Sequence, residues 1–154
     1  LTGVENLLLL ARLLGYSRRR GRERATDLLD AFGLAEAADR QVKKYSGGMR
    51  RRIDIAASLV VTPELIFLDE PTTGLDPHAR RQVWDVLKGL KARGKTVFLT
   101  THYMDEAEYC NRISIMVDGK IVALDTPHRL KQHFNASSMD DVFYQLARGA
   151  QRQE

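Results

Sequence analysis

Two adjacent carboxylates, Asp69 and Glu70, directly follow the short apolar run Leu65–Leu68. One carboxylate could hold a hydrated Mg²⁺ while the other positions an attacking water, which is the division of labour found in nucleotide hydrolysis. The same pair could instead leave a strand and cap the following turn, and these residues alone do not separate the two interpretations. Asp69 is therefore a candidate metal ligand, and Glu70 is a candidate catalytic residue.

A second candidate site begins at Ser46, Gly47 and Gly48, which open a predicted helix. Glycines let the backbone approach a ligand, and a helix N-terminus offers unpaired N–H groups and a partial positive charge, so this segment could bind an anion. An ordinary N-cap with a glycine-rich lead-in would have the same sequence. His102 could contact a terminal phosphate, although a single histidine at a strand end is more often a satisfied polar residue.

Residues 89–96, GLKARGKT, formally match the phosphate-loop pattern G-x-x-x-x-G-K-[ST]. A working phosphate loop leaves a strand and enters a helix, so that the helix N-terminus faces the phosphates. Here the segment leaves a predicted helix and enters a predicted strand. We therefore interpret Gly94 as a helix stop and reject the segment as a phosphate site.

Hydrophobic spacing, caps and turn residues predict an alternation of helices and strands. The predicted helices are residues 3–14, 19–32, 49–61, 77–94, 104–109, 128–133 and 140–147, the predicted strands are 65–68, 96–100, 113–117 and 121–124, and residues 41–45 are a polar loop. The strand at 65–68 is wholly apolar, which is typical of a strand buried on both faces of a parallel sheet. This order indicates an α/β fold, in which ligands bind outside the carboxyl ends of the strands.

Composition limits the class of protein. The 154 residues hold 24 Lys and Arg against 20 Asp and Glu, a net charge of +4, with 44% hydrophobic residues, which is typical of a globular domain. The single Cys110 excludes a disulfide framework and fits a reducing, cytosolic setting. Apolar runs are too short to cross a bilayer, so any membrane link goes through a partner. The arginines at 18–24 lack interleaved aromatics, so we expect a solvated helix face and no nucleic acid.

Four segments occur in a specific order and spacing: YSGGM at 45–49, LIFLDEP at 65–71, TGLD at 73–76 and TTH at 100–102. They resemble the signature, Walker B, D-loop and H-loop of ABC-transporter ATP-binding domains. YSGGMRRR and LTTHYMDEAE are similar to the daunorubicin-resistance type of drug-exporter ATPase subunit. Met49 and Gly74 depart from the glutamine and alanine usual in the family, which affects fine tuning of dimer closure rather than the serine and glycine contacts.

The resemblance implies roles for these residues. Asp69 would organise Mg²⁺, Glu70 would polarise the hydrolytic water and His102 would contact the γ-phosphate of ATP. The segment 46–48 would reach across a head-to-tail dimer to the nucleotide held by a second ATP-binding subunit. Asp76 would lie at the same interface.

The resemblance also implies an organisation: a partial P-loop NTPase fold, mostly parallel sheet plus a helical subdomain. We expect a helical subdomain at 1–62 that abuts a transmembrane permease, an α/β core at 63–134, and a C-terminal helix and tail at 135–154. The Walker A loop would precede Leu1 and is absent, so we expect the isolated chain to bind ATP poorly. The expected location is cytoplasmic, on the inner face of the membrane through the partner.

Three functions remain open on the sequence. The first is the ATP-hydrolysing subunit of an ABC exporter, active when a complete upstream half is present. The second is a non-catalytic remnant or interaction module that binds a transporter partner without turnover. The third, a chromosome-maintenance or repair ATPase, shares a related signature but usually carries long coiled coils, and none is visible here.

Overall fold

The secondary structure follows the predicted order of helices and strands. The computed structural model describes residues 1–151. Its helices are α1 (Gly3–Leu13), α2 (Arg18–Ala31), α3 (Gly47–Ser58), α4 (Pro77–Ala92), α5 (Met104–Ala107), α6 (Pro127–His133) and α7 (Met139–Gln151), and its strands are β1 (Leu65–Leu68), β2 (Thr96–Leu99), β3 (Ile113–Val117) and β4 (Lys120–Asp125). The chain forms two compact units, the first ending at Thr100 and the second beginning at Thr101. The predicted boundaries at 62/63 and 134/135 stay a prediction.

Helix α1 begins with the capping box that the sequence predicts. The Glu5 N–H donates to the Thr2 hydroxyl at 3.2 Å, and the Thr2 N–H donates to the Glu5 carboxylate at 2.8 Å. Leu7 and Ala11 are buried where α1 packs against α2. The helix is therefore fixed at its start by local hydrogen bonds and along its length by apolar packing.

Residues 41–45 are more than the polar loop expected from the sequence. A 3₁₀ turn covers Val42–Lys44, and Tyr45 is buried with its hydroxyl donating to the Ala37 carbonyl at 2.7 Å. Burial raises the pKa of Tyr45. A Cβ at Gly3 would collide with the buried Tyr45 hydroxyl, so glycine allows this close approach of α1 to the ring. The prediction of a polar loop therefore holds for residues 41–44, whereas Tyr45 belongs to the core.

Helix α3 begins at Gly47, two residues before the predicted start, and ends at Ser58 rather than at 61. Ser46 is its N-cap, since the Ser46 hydroxyl accepts from the Met49 N–H at 3.2 Å. The two glycines of the signature segment therefore form the first turn of the helix.

Arg24 of α2 satisfies the backbone that follows α3. Its guanidinium donates to the Leu59 carbonyl at 2.6 Å, to the Val60 carbonyl at 3.1 Å and to the Thr62 hydroxyl at 2.9 Å. The interpretation of the 18–24 arginines as a solvated face is therefore wrong for Arg24, because the end of a helix leaves carbonyls that need donors.

Strands β1 and β2 are parallel, with Leu65 opposite Thr96 and Leu68 opposite Leu99. Strand β1 is buried on one face only, with Ile66 inside, whereas the Phe67 side chain is 70% exposed. The Phe67 ring contacts the ring of Phe98 on β2, with centroids 5.7 Å apart. The prediction of burial on both faces was wrong because both faces of β1 are apolar, so hydrophobicity alone does not reveal which is covered.

Helix α4 lies between these strands in sequence and packs on β2. It buries Val83, Leu87 and Leu90 on one face and ends at Ala92, with Gly94 at a φ of 78°. That left-handed conformation suits glycine and ends the helix, after which the chain enters β2. Residues 89–96 thus run from a helix into a strand. This direction agrees with the interpretation of the segment as the end of a helix and not as a phosphate loop.

The second unit contains an antiparallel hairpin and three helices, of which α6 and α7 pack on the hairpin. Asp118 and Gly119 join β3 to β4 with φ values of 49° and 74°, which fits the tight turn predicted from Asp-Gly. The core residues are Ala107, Ile115, Leu130, Met139 and Val142. Helix α5 ends at Ala107, two residues before its predicted end, whereas α7 runs beyond the predicted 140–147 at both ends and β4 is one residue longer at each end than predicted.

We predict that the isolated 154-residue chain is marginally folded and prone to association. Strand β2 pairs with one strand only among the described residues, and the Phe67 and Phe98 rings are exposed beside it. An unpaired apolar edge is a template for association. Light scattering and thermal unfolding should show aggregates without a cooperative transition, and a Phe67→Thr/Phe98→Thr variant should aggregate less. A monodisperse sample that unfolds cooperatively would contradict the prediction.

Candidate active site

The register of β1 and β2 brings Asp69, Glu70 and Thr100 together just beyond the last strand pair. The Thr100 N–H donates to the Leu68 carbonyl at 3.0 Å, continuing the ladder by one bond. The Thr100 hydroxyl accepts from the Glu70 N–H at 3.0 Å and donates to the Asp69 carboxylate. One hydroxyl therefore links both carboxylate-bearing residues.

Glu70 has a backbone conformation that L-residues rarely adopt, with a φ of 43°. Such strain persists only where surrounding contacts hold it, and it is common at functional sites. Its side chain is exposed, and the Thr73 hydroxyl donates to the Glu70 carboxylate at 3.2 Å. The turn after β1 thus projects the carboxylate into solvent in a fixed direction.

The same turn is held from the other side by Arg51 of α3. The half-buried guanidinium donates to the carbonyls of Asp69, Glu70 and Pro71, at 2.9 Å for Glu70 and 3.4 Å for Pro71. Helix α3 and the turn after β1 are therefore joined by the hydrogen bonds of a single arginine side chain.

The signature segment and the D-loop segment also meet. A Cβ at Gly48 would lie 3.4 Å from the Leu75 side chain, whereas a Cβ at Gly47 would meet nothing within 4 Å. Ser46 and Gly47 are exposed at the start of α3. The first turn of α3 thus packs on the segment that leads to Asp76 while its N-terminal end stays open.

Asp76 is the N-cap of α4. Its carboxylate accepts from the Ala79 N–H at 3.0 Å and from the His78 N–H at 2.9 Å. The bond from Ala79 is the main cause that lowers the pKa of Asp76. Asp76 is therefore held by its own helix, and its predicted contact with a nucleotide or a second subunit stays a prediction.

His102 belongs to the second unit, so its predicted place beside the two carboxylates also stays a prediction. It is exposed, and its ring packs on the Tyr103 ring with centroids 4.1 Å apart. The flanking Thr101 hydroxyl accepts from the Tyr103 N–H at 3.0 Å and donates to the Glu106 carboxylate at 2.8 Å. Glu106 is buried, so the Thr101 side chain is held by a buried carboxylate and in turn holds the Tyr103 backbone on the other side of His102.

Sequence reasoning missed Arg51 and Glu106, and it placed Thr100 and Thr101 in the H-loop segment without giving either of them a role. The two threonines follow β2 directly, and a rule that polar residues at a strand end face the ligand edge would have found them. Glu106 lies in an acidic run that reads as a solvated helix face. Arg51 carried no signal, because it is one of three consecutive arginines and only the packing of α3 shows which one reaches the turn.

The residues at this turn fit a Mg²⁺ site to which the protein supplies few ligands. Carboxylate oxygens are among the donors Mg²⁺ prefers, and Asp69 supplies them, with its carboxylate held in place by the Thr100 hydroxyl. Among the residues that the structure describes, no cluster of three His, Cys, Asp or Glu side chains could hold a metal ion. A single carboxylate is nonetheless sufficient where substrate phosphates provide further oxygens, as at many nucleotide sites.

Comparison with known proteins identifies the family. A family model described as ABC transporter matches residues 2–73. The daunorubicin/doxorubicin resistance ATP-binding protein of Streptomyces peucetius is 56% identical over 138 residues, covering 89% of this chain and 42% of that protein. The chain belongs to the ABC-transporter ATP-binding family.

Other ABC-transporter relatives include the Nod factor export ATP-binding protein I of Rhizobium sp. (strain N33), 44% identical over 140 residues, covering 90% of this chain and 46% of that protein. The chain thus spans less than half the length of these curated relatives.

Solved structures confirm the predicted fold class. An ATP-binding subunit of an ABC transporter matches with a TM-score of 0.82 at 30% identity, covering 95% of this chain and 62% of that one. A dimeric ATP-binding cassette in a post-hydrolysis state, bound to ADP and Pi, matches with a TM-score of 0.73 at 30% identity, covering 82% of this chain and 56% of that one. The described residues therefore form part of an ABC ATPase fold.

The Asp76 cap predicts a pH dependence of stability. Because its native pKa lies below the ordinary value of 3.8, the charged cap stabilises the fold above that value, and this contribution is lost as the pH falls through the native pKa. Unfolding of the full-length protein by urea, from about pH 5 to about pH 3, should show a smaller loss of stability for Asp76→Asn, whose cap does not titrate. Ser17→Ala, which removes the non-titrating N-cap of α2, is the control and should keep the wild-type slope. Equal slopes for Asp76→Asn and wild type would contradict the assignment.

Proposed function

We propose that this chain is part of the ATP-binding and ATP-hydrolysing subunit of an ABC exporter. The relatives named for daunorubicin resistance and Nod factor export support an exported cargo of the drug or lipid-like class. The observation that carries the proposal is the turn after β1, where strand register and hydrogen bonds fix Asp69 and an exposed, strained Glu70 side by side.

In this proposal Glu70 is the general base that orients and deprotonates the attacking water. Its carboxylate is exposed, and its backbone is held at both the N–H and the carbonyl, so its direction is set before substrate arrives. A fixed base removes the entropic cost of bringing base and water into line with the terminal phosphate. His102 contacts the γ-phosphate in the same proposal.

Asp69 would hold the magnesium ion of Mg-ATP through its carboxylate, which the Thr100 hydroxyl orients. Mg²⁺ bound there supplies positive charge that offsets the charge developing on the phosphates. The lone carboxylate accords with an ion whose remaining oxygens come from phosphates and water. The Thr100 hydroxyl thus positions both the proposed metal ligand, Asp69, and the proposed base, Glu70.

Ser46, Gly47 and Gly48 bind the nucleotide held by a second ATP-binding subunit in a head-to-tail dimer. The exposed start of α3 offers backbone N–H groups and the positive end of the helix dipole. The dimeric form of the ATP-binding cassette that matches by structure supports this assembly. Asp76, which follows the Leu75 contact with Gly48, lies at the same interface in the proposal.

A transmembrane permease is the other partner in the proposal. The described residues include no helix long and apolar enough to span a membrane. The names of the relatives describe ATP-binding proteins of resistance or export systems, which supports a partner that forms the pathway. The α1–α3 region would contact this permease, with the subunit on the cytoplasmic face of the membrane.

We predict that Glu70→Gln in the full-length protein abolishes steady-state ATP hydrolysis and traps ATP. The amide keeps the shape of the carboxylate but cannot accept the proton from water, so the loss should be about 100-fold or more. ATP affinity should persist because the change leaves Asp69 and the start of α3 intact. Phosphate release and retention of radiolabelled ATP by the gel-filtered dimer would measure the two effects.

The matched control is Glu64→Gln, which makes the same change at an exposed position before β1, at the opposite end of that strand from the site. It should hydrolyse ATP at the wild-type rate. Undiminished hydrolysis by Glu70→Gln would overturn the general-base assignment. Absence of hydrolysis in the wild-type protein with its partner would overturn the proposed function itself.

A further inference from the structure

We propose that Arg51 is a positioning residue for the general base, acting through the backbone of the turn after β1. This inference rests on the proposed function of Glu70 and goes beyond it, because it assigns a role to a side chain of α3. In this proposal Arg51 contacts neither the nucleotide nor the attacking water. Its effect would be transmitted through the conformation of Glu70.

The hydrogen-bond geometry at the turn carries the inference. Three consecutive carbonyls, from Asp69 to Pro71, accept from the one guanidinium. Consecutive carbonyls of an extended strand point to opposite sides, so three can converge on one donor group only where the chain turns sharply. The positive φ of 43° at Glu70 provides that turn. The fork of N–H donors on arginine matches such a set, whereas a lysine ammonium is a point donor.

The turn is held from opposite sides by different elements. Thr100, beyond β2, accepts from the Glu70 N–H, and Arg51, on α3, donates to the Glu70 carbonyl. Both peptide groups that flank the Glu70 Cα are therefore fixed, and these two groups set the direction of its side chain. Removing the Arg51 donors frees the carbonyl side and lets the strained φ relax.

The neighbouring Arg52 shows that this contact is specific to one arginine. Arg52 donates to the Phe32 carbonyl at 2.8 Å and to the Gln82 side chain at 2.8 Å, so it joins α3 to the end of α2 and to α4. Arg51 alone of these two reaches the turn after β1. Arg52 therefore joins helices to one another, whereas Arg51 contacts the turn that carries the proposed base.

The test uses the full-length protein with its transporter partner and the variants Arg51→Gln and Arg51→Lys. A displacement of a catalytic group by about 1 Å costs about 100-fold in rate, so we expect kcat of Arg51→Gln to fall between about 10-fold and about 100-fold. The KM for ATP and ATP-dependent dimerisation should stay within about twofold, because the nucleotide contacts are unchanged. Arg51→Lys should fall between wild type and Arg51→Gln, since lysine retains a donor but loses the fork.

A double variant separates positioning from folding. Once Glu70→Gln has removed the base, adding Arg51→Gln should lower the residual rate by no more than about twofold, because both changes act on one group. Arg93→Gln, the same change at an exposed position directly after α4, is the charge control and should leave kcat unchanged. If Arg51→Gln fails to fold, Arg51→Lys gives the decisive kcat.

The outcomes distinguish the two proposals. An active wild type with unchanged kcat in Arg51→Lys and Arg51→Gln overturns the role of Arg51 and leaves the proposed function standing. A raised KM with unchanged kcat, or a full additive loss in the double variant, also overturns it. A wild type that does not hydrolyse ATP removes the proposed function and the role of Arg51 together. A lowered kcat at constant KM, absent in the Glu70→Gln background, supports the inference.

Discussion

The parallel register of β1 and β2 is the constraint on which the candidate site depends. Pairing Leu68 with Leu99 places Asp69 beside Thr100, and this is how a threonine remote in sequence can donate to one residue and accept from the next. A shift by one residue would turn the carboxylates and the threonine to opposite faces. The candidate site therefore requires this strand register, and the packing of the apolar residues of both strands maintains it.

The strained backbone conformation of Glu70 is stabilised by several contacts. A non-glycine residue at a positive φ costs of the order of 1 kcal/mol or more, so it survives only where neighbours outweigh it. The Thr100 hydroxyl, the Arg51 fork and the Thr73 hydroxyl together supply those neighbours. A glycine would remove the strain but also the carboxylate, which gives a physical reason for strain at this position.

Local signals predicted most of the fold but few of the contacts that support the site. Capping chemistry at Thr2, the Asp-Gly turn and the stop at Gly94 are encoded within a few residues, and the structure confirms them. The covered face of β1 and the burial of Tyr45 depend on residues far away in sequence, so spacing could not reveal them. Arg51 belongs with the second group, since three adjacent arginines differ only in what the folded helix places opposite each.

Helix α3 is the element that connects the two halves of the proposed chemistry. Its N-terminus, at Ser46, offers donors to a nucleotide on a second subunit in the proposed dimer, and Arg51 contacts the turn of its own subunit. The two positions are about 7.5 Å apart along a continuous helix, which a hydrogen-bonded backbone keeps rigid. Movement of one end therefore displaces the other. Because Gly48 also packs on the segment before Asp76, such a displacement would reach the D-loop as well as Glu70.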